Sequence, residues 1–255
     1  MKQPTISTPG HYARVTGSPG ETPRLIGLLR VLWPLFLIFA ACGYLLRAAW
    51  PIPPLHPTAI GLLFLLLAGL SAGLLTRSRA RLHDFLKGAR GEESVARTLA
   101  FLPADYRIYH GLAPQRRGVL MDARDYDHIV VGPSGVFVVE TKNWSGWITI
   151  QNGRILYDGE EPDRPPLDQV RKAASELQRR LKEESDLDVD VQPVLCFASG
   201  NLEGGYTGLS GVVICGVHDL LRVLQDSVDH ALSKQVRVGV AKKLDQWVAS
   251  THDTP

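Results

Sequence analysis

Apolar and polar positions alternate along Tyr126–Val131 and again along Val136–Thr141, and Gly132-Pro133-Ser134-Gly135 separates the two runs. β-Branched and aromatic residues in that pattern predict strands, and the Gly/Pro/Ser cluster predicts the turn between them. Further strands are expected at Tyr106–Leu112, Val191–Ala198 and Gly211–Gly216. Another pair, Ile148–Ile150 and Ile155–Tyr157, flanks Asn152-Gly153, a strong signal for a type I′ hairpin. Helical spacing replaces the period of two at Arg77–Leu102 and at Leu167–Glu184, where Leu167, Val170, Ala174, Leu177 and Leu181 form an apolar stripe. Val217–Gln225 and Ala231–Val248 are read as helices that cover the sheet. The outcome is an α/β domain over residues 88–250.

Ahead of it the pattern changes. Residues 1–24 are rich in Pro, Gly, Ser and Thr and are read as a disordered tail. Two hydrophobic runs follow at residues 25–46 and 58–75, each near the ~20 residues needed to cross a bilayer. Arg47–Pro57 connects them, and basic residues flank the pair on both outer sides. The expectation is a two-helix transmembrane hairpin over residues 25–76, with both ends in the cytoplasm by the positive-inside rule. Residues 77–87 then serve as a linker helix. A bacterial-type inner membrane, multi-pass location with a cytoplasmic domain follows.

Composition narrows the chemistry. The net charge of +2 is too small to argue for nucleic acid, so any such surface must be local. Cys42, Cys196 and Cys215 form no Cys-x-x-Cys pair, so neither a disulfide framework nor a zinc cluster is suggested.

The central hairpin carries the chemistry. If Val131 pairs with Val136, Asp127 lies opposite Glu140 and Asp125 opposite Lys142, all projecting to one face. A cross-strand salt bridge on a solvated edge is the plain reading. The alternative is a divalent-cation site, since two carboxylates about 5 Å apart can share one hard cation and a neighbouring lysine can orient a water and stabilise charge at a phosphate. His128 alternates away from that face and is read as structural. Arg116 and Arg117 on a loop, and Arg171, Lys172, Arg179, Arg180 and Lys182 on the long helix, are either phosphate contacts or solvated charge. Trp144 and Trp147 either close the core or stack on bases.

Asp127 followed by Glu140-Thr141-Lys142 resembles the D…(D/E)xK signature of the restriction-endonuclease-like nucleases. Gly91-Glu92, the paired runs Asp125–Val131 and Gly135–Asn143, and Pro166 with Gln169 resemble one branch, the nuclease-related domain (NERD) family. The resemblance covers about Gly88 to Leu181. One departure is Pro165-Pro166, where the family pattern has Asn-Pro.

The resemblance implies a restriction-endonuclease-like mixed sheet flanked by helices and a Mg²⁺- or Mn²⁺-dependent nuclease acting on a phosphodiester, most simply in DNA. It assigns the metal to Asp127, Glu140 and the main-chain carbonyl of Thr141. Lys142 becomes the residue that orients water, with Glu92 and Gln169 as contributors. The alternative function is a catalytically inactive nucleic-acid-binding or membrane scaffold module that keeps the fold.

Overall fold

A computed structural model describes residues 12–17, 21–48, 56–112, 125–227 and 230–252. The expected loop arginines 116 and 117, most of the 47–57 connector and much of the 1–24 tail lie outside the described residues. Two compact units emerge: residues 1–20 with 90–255, and residues 21–89.

The larger unit is a mixed α/β structure. Its strands are β1 (Arg14–Thr16), β2 (Arg107–Leu112), β3 (Tyr126–Gly132), β4 (Gly135–Gln151), β5 (Arg154–Tyr157), β6 (Val191–Leu202), β7 (Thr207–Leu209) and β8 (Val212–Gly216). They form one eight-stranded sheet in the order β1-β2-β3-β4-β6-β8-β7, with β5 paired to β4. β2, β3 and β4 run antiparallel in succession, whereas β4, β6 and β8 are parallel neighbours.

Helices cover both faces. The helices of the chain are α1 (Glu21–Ala48), α2 (Pro57–Leu99), α3 (Pro166–Ser185), α4 (Leu220–Gln225) and α5 (Lys234–His252). On one face Ile129, Val131, Val136 and Val138 pack with Val170, Ala174, Leu177 and Leu181 of α3 and with Val240 and Leu244 of α5. On the other, Val130, Phe137 and Val139 meet Val95 and Leu99 of α2 and Leu220 and Leu224 of α4. The central strands therefore bury both faces, which is why β3 and the first half of β4 are apolar nearly throughout.

The register of the central hairpin is Val131↔Val136, closing at Gly132↔Gly135. The β4–β5 turn holds Asn152 and Gly153 at φ 50° and 74°, the two positive angles that a type I′ turn demands. α3 begins at Pro166, where a missing N–H costs nothing.

Three expectations are corrected. First, the tail is not wholly disordered: β1 pairs in parallel with β2, and buried Ala13 donates its N–H to the Leu102 carbonyl at 2.9 Å. Second, Arg77–Leu99 is no separate linker and domain helix; α2 is continuous from Pro57, because Gly88 and Gly91 weaken a helix without breaking it. Third, the transmembrane hairpin is not supported. α1 and α2 occupy the two hydrophobic runs, but among the described residues no helix is long and apolar enough to cross a membrane. Arg30 interrupts the first run, and α2 passes directly into its Arg-rich half. Trp33, Phe36, Phe39, Phe64 and Leu65 are exposed.

His128 is fully buried, as its position away from the acidic residues required, and its Nδ1 lies 2.7 Å from Nδ1 of His110, its partner across β2–β3. Nε2 of His128 has no partner among the described residues. Donation from His128 Nδ1 to His110 leaves only a lone pair there, which avoids an unpaired buried N–H. Burial lowers the His110 pKa to about 4. In the unfolded chain that imidazole takes its proton near pH 6.5. Between those values the unfolded chain holds the extra proton, so His110 stabilises the fold above pH 6.5 and progressively less as pH falls toward 4. The loss should approach about 3 kcal/mol. Urea unfolding of the full chain at stepped pH should show a shallower slope in His110→Gln than in the wild type, the remainder coming from buried His128, whose pKa burial also lowers.

Candidate active site

The observed β3–β4 ladder runs from Gly132↔Gly135 to His128↔Val139. One step further along both strands come Asp127 and Glu140, so the chain itself delivers the two carboxylates side by side. The Asp127 carboxylate accepts the Thr141 main-chain N–H at 2.7 Å. Lys142 Nζ donates to Glu140 at 2.6 Å and to Gln169 Oε1 at 3.1 Å, and the Gln169 amide also donates to Glu140. α3 supplies Gln169 because its apolar stripe packs on the sheet face that carries Val136 and Val138.

Glu92 arrives from α2. A Cβ on Gly91 would stand 2.7 Å from Cβ of Asn143. The absent side chain lets α2 come down onto β4 just beyond Lys142, which brings the next residue, Glu92, within electrostatic range of Asp127. Burial, then the carboxylates of Glu140 and Glu92, push the Asp127 carboxyl well above the ordinary range, opposed by the Thr141 N–H and by Lys142. Glu140 is itself only 7% exposed. The structure thus brings Asp127, Glu140, Thr141, Lys142, Glu92 and Gln169 to one end of the sheet.

Other expectations resolve differently. Asp125 lies outside β3, and the ladder stops before it could face Lys142. Four of the five α3 cations are paired: Arg171 with Asp168, Arg179 with Glu176 and Glu183, Arg180 with Glu184, and Lys182 with Asp188, while Lys172 is exposed. The two tryptophans separate, Trp144 lying 5.1 Å from the ring of Tyr157 and 5.2 Å from that of Phe197 while Trp147 is exposed. The pairing of Asn143 with the Ser199 hydroxyl was missed in the sequence. The hint available was that Asn143 directly follows Lys142, with Gly91 packed against its Cβ.

The donors present suit a small hard cation. Among the described residues no group of three or more His, Cys, Asp and Glu side chains is placed to cage a metal. Mg²⁺ does not require one, because it is held by one or two carboxylates and retains several waters. Two carboxylates that repel each other strongly enough to raise a proton affinity form a site that a cation relieves.

Residues 87–198 match the family model described as the nuclease-related domain. That span is similar to nuclease-related domains. The matched span contains β2 to β5, α3, most of β6 and all six residues at the site. An uncharacterized protein of Bacillus anthracis is 44% identical over 63 residues, which is 24% of this chain and 29% of that relative. The chain therefore spans under a third of the relative's length. No solved structure matches the chain.

Proposed function

We propose that the nuclease-related domain is a divalent-metal-dependent hydrolase of phosphodiester bonds in nucleic acid, most simply DNA, with a restriction-endonuclease-like arrangement of its sheet. The observation that carries this reading is the convergence of Asp127, Glu140 and Lys142 at one sheet end, with Glu92 and Gln169 beside them.

Asp127 and Glu140, with the Thr141 carbonyl, would hold Mg²⁺ or Mn²⁺, which supplies Lewis-acid polarisation of a phosphoryl oxygen and lowers the pKa of a water. Lys142 is anchored through Glu140 and Gln169, so its remaining N–H is directed by two fixed partners. That N–H orients the attacking water and then stabilises charge on the phosphate. Gln169 holds Lys142 and Glu140 in register, and Glu92 adds negative potential that favours the cation. Nothing in this role depends on the helical unit.

A second reading follows from the 2.6 Å Lys142–Glu140 ion pair: a structural charge cluster without metal in a module that binds but does not cut. One experiment separates the two. The full chain is titrated with Mg²⁺ and Mn²⁺ and incubated with linear, nicked and branched DNA and with RNA. The enzyme reading expects saturable metal binding and metal-dependent cleavage, both lost in Asp127→Asn. Absence of metal binding, or equal binding in the variant, leaves only the charge cluster.

A further inference from the structure

Lys234 and Arg237 lie in the first turn of α5, and no acid accompanies them there. That is the wrong sign for the place, because the N-terminal end of a helix carries partial positive charge and favours anions. The neighbouring sheet edge repeats the anomaly. Arg14 of β1 stands directly opposite Arg107 of β2 in the parallel register, and opposed like charges destabilise a strand pair. Both project to the face that α5 covers, since Arg107 also pairs with Val131, which packs beneath that helix with Val240 and Leu244. Arg237 is itself poorly satisfied. Its Nε is buried without a partner among the described residues, and its Nη1 reaches the Asp105 carboxylate at 3.5 Å and the Asp105 carbonyl at 3.3 Å.

These side chains gather around a cleft of about 180 Å³ between the start of β2 and the start of α5. Ala104, Val131 and Val238 give it an apolar lining, and Arg107, Lys234 and Arg237 give it charge. Arg107 is held by Asp245 at 3.0 Å, and the other oxygen of that carboxylate takes the Tyr109 hydroxyl at 2.9 Å. Arg14 and Lys234 are exposed and make no ion pair among the described residues. Four cations thus meet two acids, Asp105 and Asp245, an excess of two positive charges. A solvated patch is the plain reading of surface cations. It does not explain why a misplaced helix-end charge, an opposed like pair and an unpartnered buried N–H meet at one concavity. A bound anion relieves all of them.

Val131 and Asp127 lie four residues apart on the same face of β3, a separation of roughly 13 Å. The cleft is therefore at the other end of the strand from the candidate active site. It is smaller than the roughly 300 Å³ at which pockets begin to enclose drug-sized ligands, so its ligand is small.

We propose that this cleft binds a small phosphate monoester, its phosphate against Arg14, Arg107, Lys234 and Arg237 and its organic part over Ala104, Val131 and Val238. Such a phosphate carries about 1.5 to 2 negative charges near pH 7, which balances the excess at the site, and guanidinium forks suit its oxygens. The site is separate from the one proposed for cleavage and does not depend on it.

The test is calorimetric titration of the full chain, in metal-free buffer, with ribose 5-phosphate, inorganic phosphate and ribose. Ribose 5-phosphate should saturate, phosphate should compete with it more weakly, and ribose should not bind. Arg14→Gln combined with Lys234→Gln should weaken ribose 5-phosphate by about tenfold or more, because two charge-assisted contacts are lost. Lys142→Ala, at the distant site, and Lys242→Gln, an exposed cation further along α5, should each leave it within about twofold. In ligand-free buffer the double variant should melt at or above the wild-type temperature, since the charges it removes have no partners. Ribose 5-phosphate should raise the melting temperature of the wild type and leave that of the double variant unchanged. Equal binding by wild type and double variant overturns the proposal, as does a loss of binding in Lys142→Ala or Lys242→Gln. Binding of ribose as tight as that of its phosphate, or no binding of any probe, overturns it too. So does a double variant that melts below the wild type, because the cations would then serve the fold and not a ligand.

Discussion

Replacing Lys142 by Ala or Met should lower the metal-dependent cleavage rate by about 10²–10⁴-fold, the range found when a positioned proton-handling group is removed. Binding of Mn²⁺ should survive, because Asp127 and Glu140 remain and the cationic neighbour of Glu140 is gone. The fold should survive too, since Lys142 is a partly buried residue at the edge of the core rather than within it. The informative measurement is the split between the two assays: single-turnover cleavage of labelled DNA collapses, whereas calorimetric metal affinity holds or rises. Loss of metal binding together with cleavage would mean that Lys142 maintains the shape of the site instead of acting in it.

The second large effect belongs to the core beneath the site. Phe197 is fully buried, stands opposite Lys142 across β4–β6, and touches Trp144 at 5.2 Å between ring centroids. Phe197→Ala should cost about 3–5 kcal/mol, the range for truncating a buried phenylalanine in a packed core. In a unit of this size that lowers the melting temperature by about 10 °C. The parallel β4–β6 pairing at Lys142 also loses the ring that backs it, so cleavage should fall even at temperatures where the variant is folded. Urea unfolding followed by tryptophan fluorescence tests the first part, and activity per folded molecule tests the second. An unchanged unfolding midpoint would show that neighbouring side chains fill the space.

Two carboxylates and an amine can be arranged by one hairpin because strand geometry is short-ranged. The turn Gly132–Gly135 sets the pairing, and with a period of two the pairing sets which side chains meet. Asp127 and Glu140 were therefore readable as neighbours before any tertiary contact was known. The family resemblance named Gln169, whose own spacing placed it only in the first turn of a helix; that α3 lies over this face follows from its stripe of Val170, Ala174, Leu177 and Leu181 finding the sheet. Glu92 was less readable still, because its approach depends on the fit of Gly91 against Asn143.

The same distinction explains the errors. β1 is three residues long and parallel, and a parallel edge strand has no turn partner in sequence to announce it. For the α3 cations both readings stayed open in the sequence, and most of their acids lie three or four residues away, where pairing depends on rotamers that the order of residues does not state. The two hydrophobic runs were read by composition as spans, while the helices they form do not meet the requirement for crossing a membrane among the described residues.

By itself, then, the sequence determined the period-two hairpin, its register, the type I′ turn at Asn152-Gly153 and the juxtaposition of Asp127 and Glu140, all consequences of chemistry within a few residues along the chain. Only the tertiary structure decided that α2 and α3 bring Glu92 and Gln169 to the same end of the sheet, that Trp144 turns inward while Trp147 stays in solvent, and that residues 14–16 return to extend the sheet. Those outcomes depend on how separate elements pack, and packing is set by surfaces that meet only once the chain has folded.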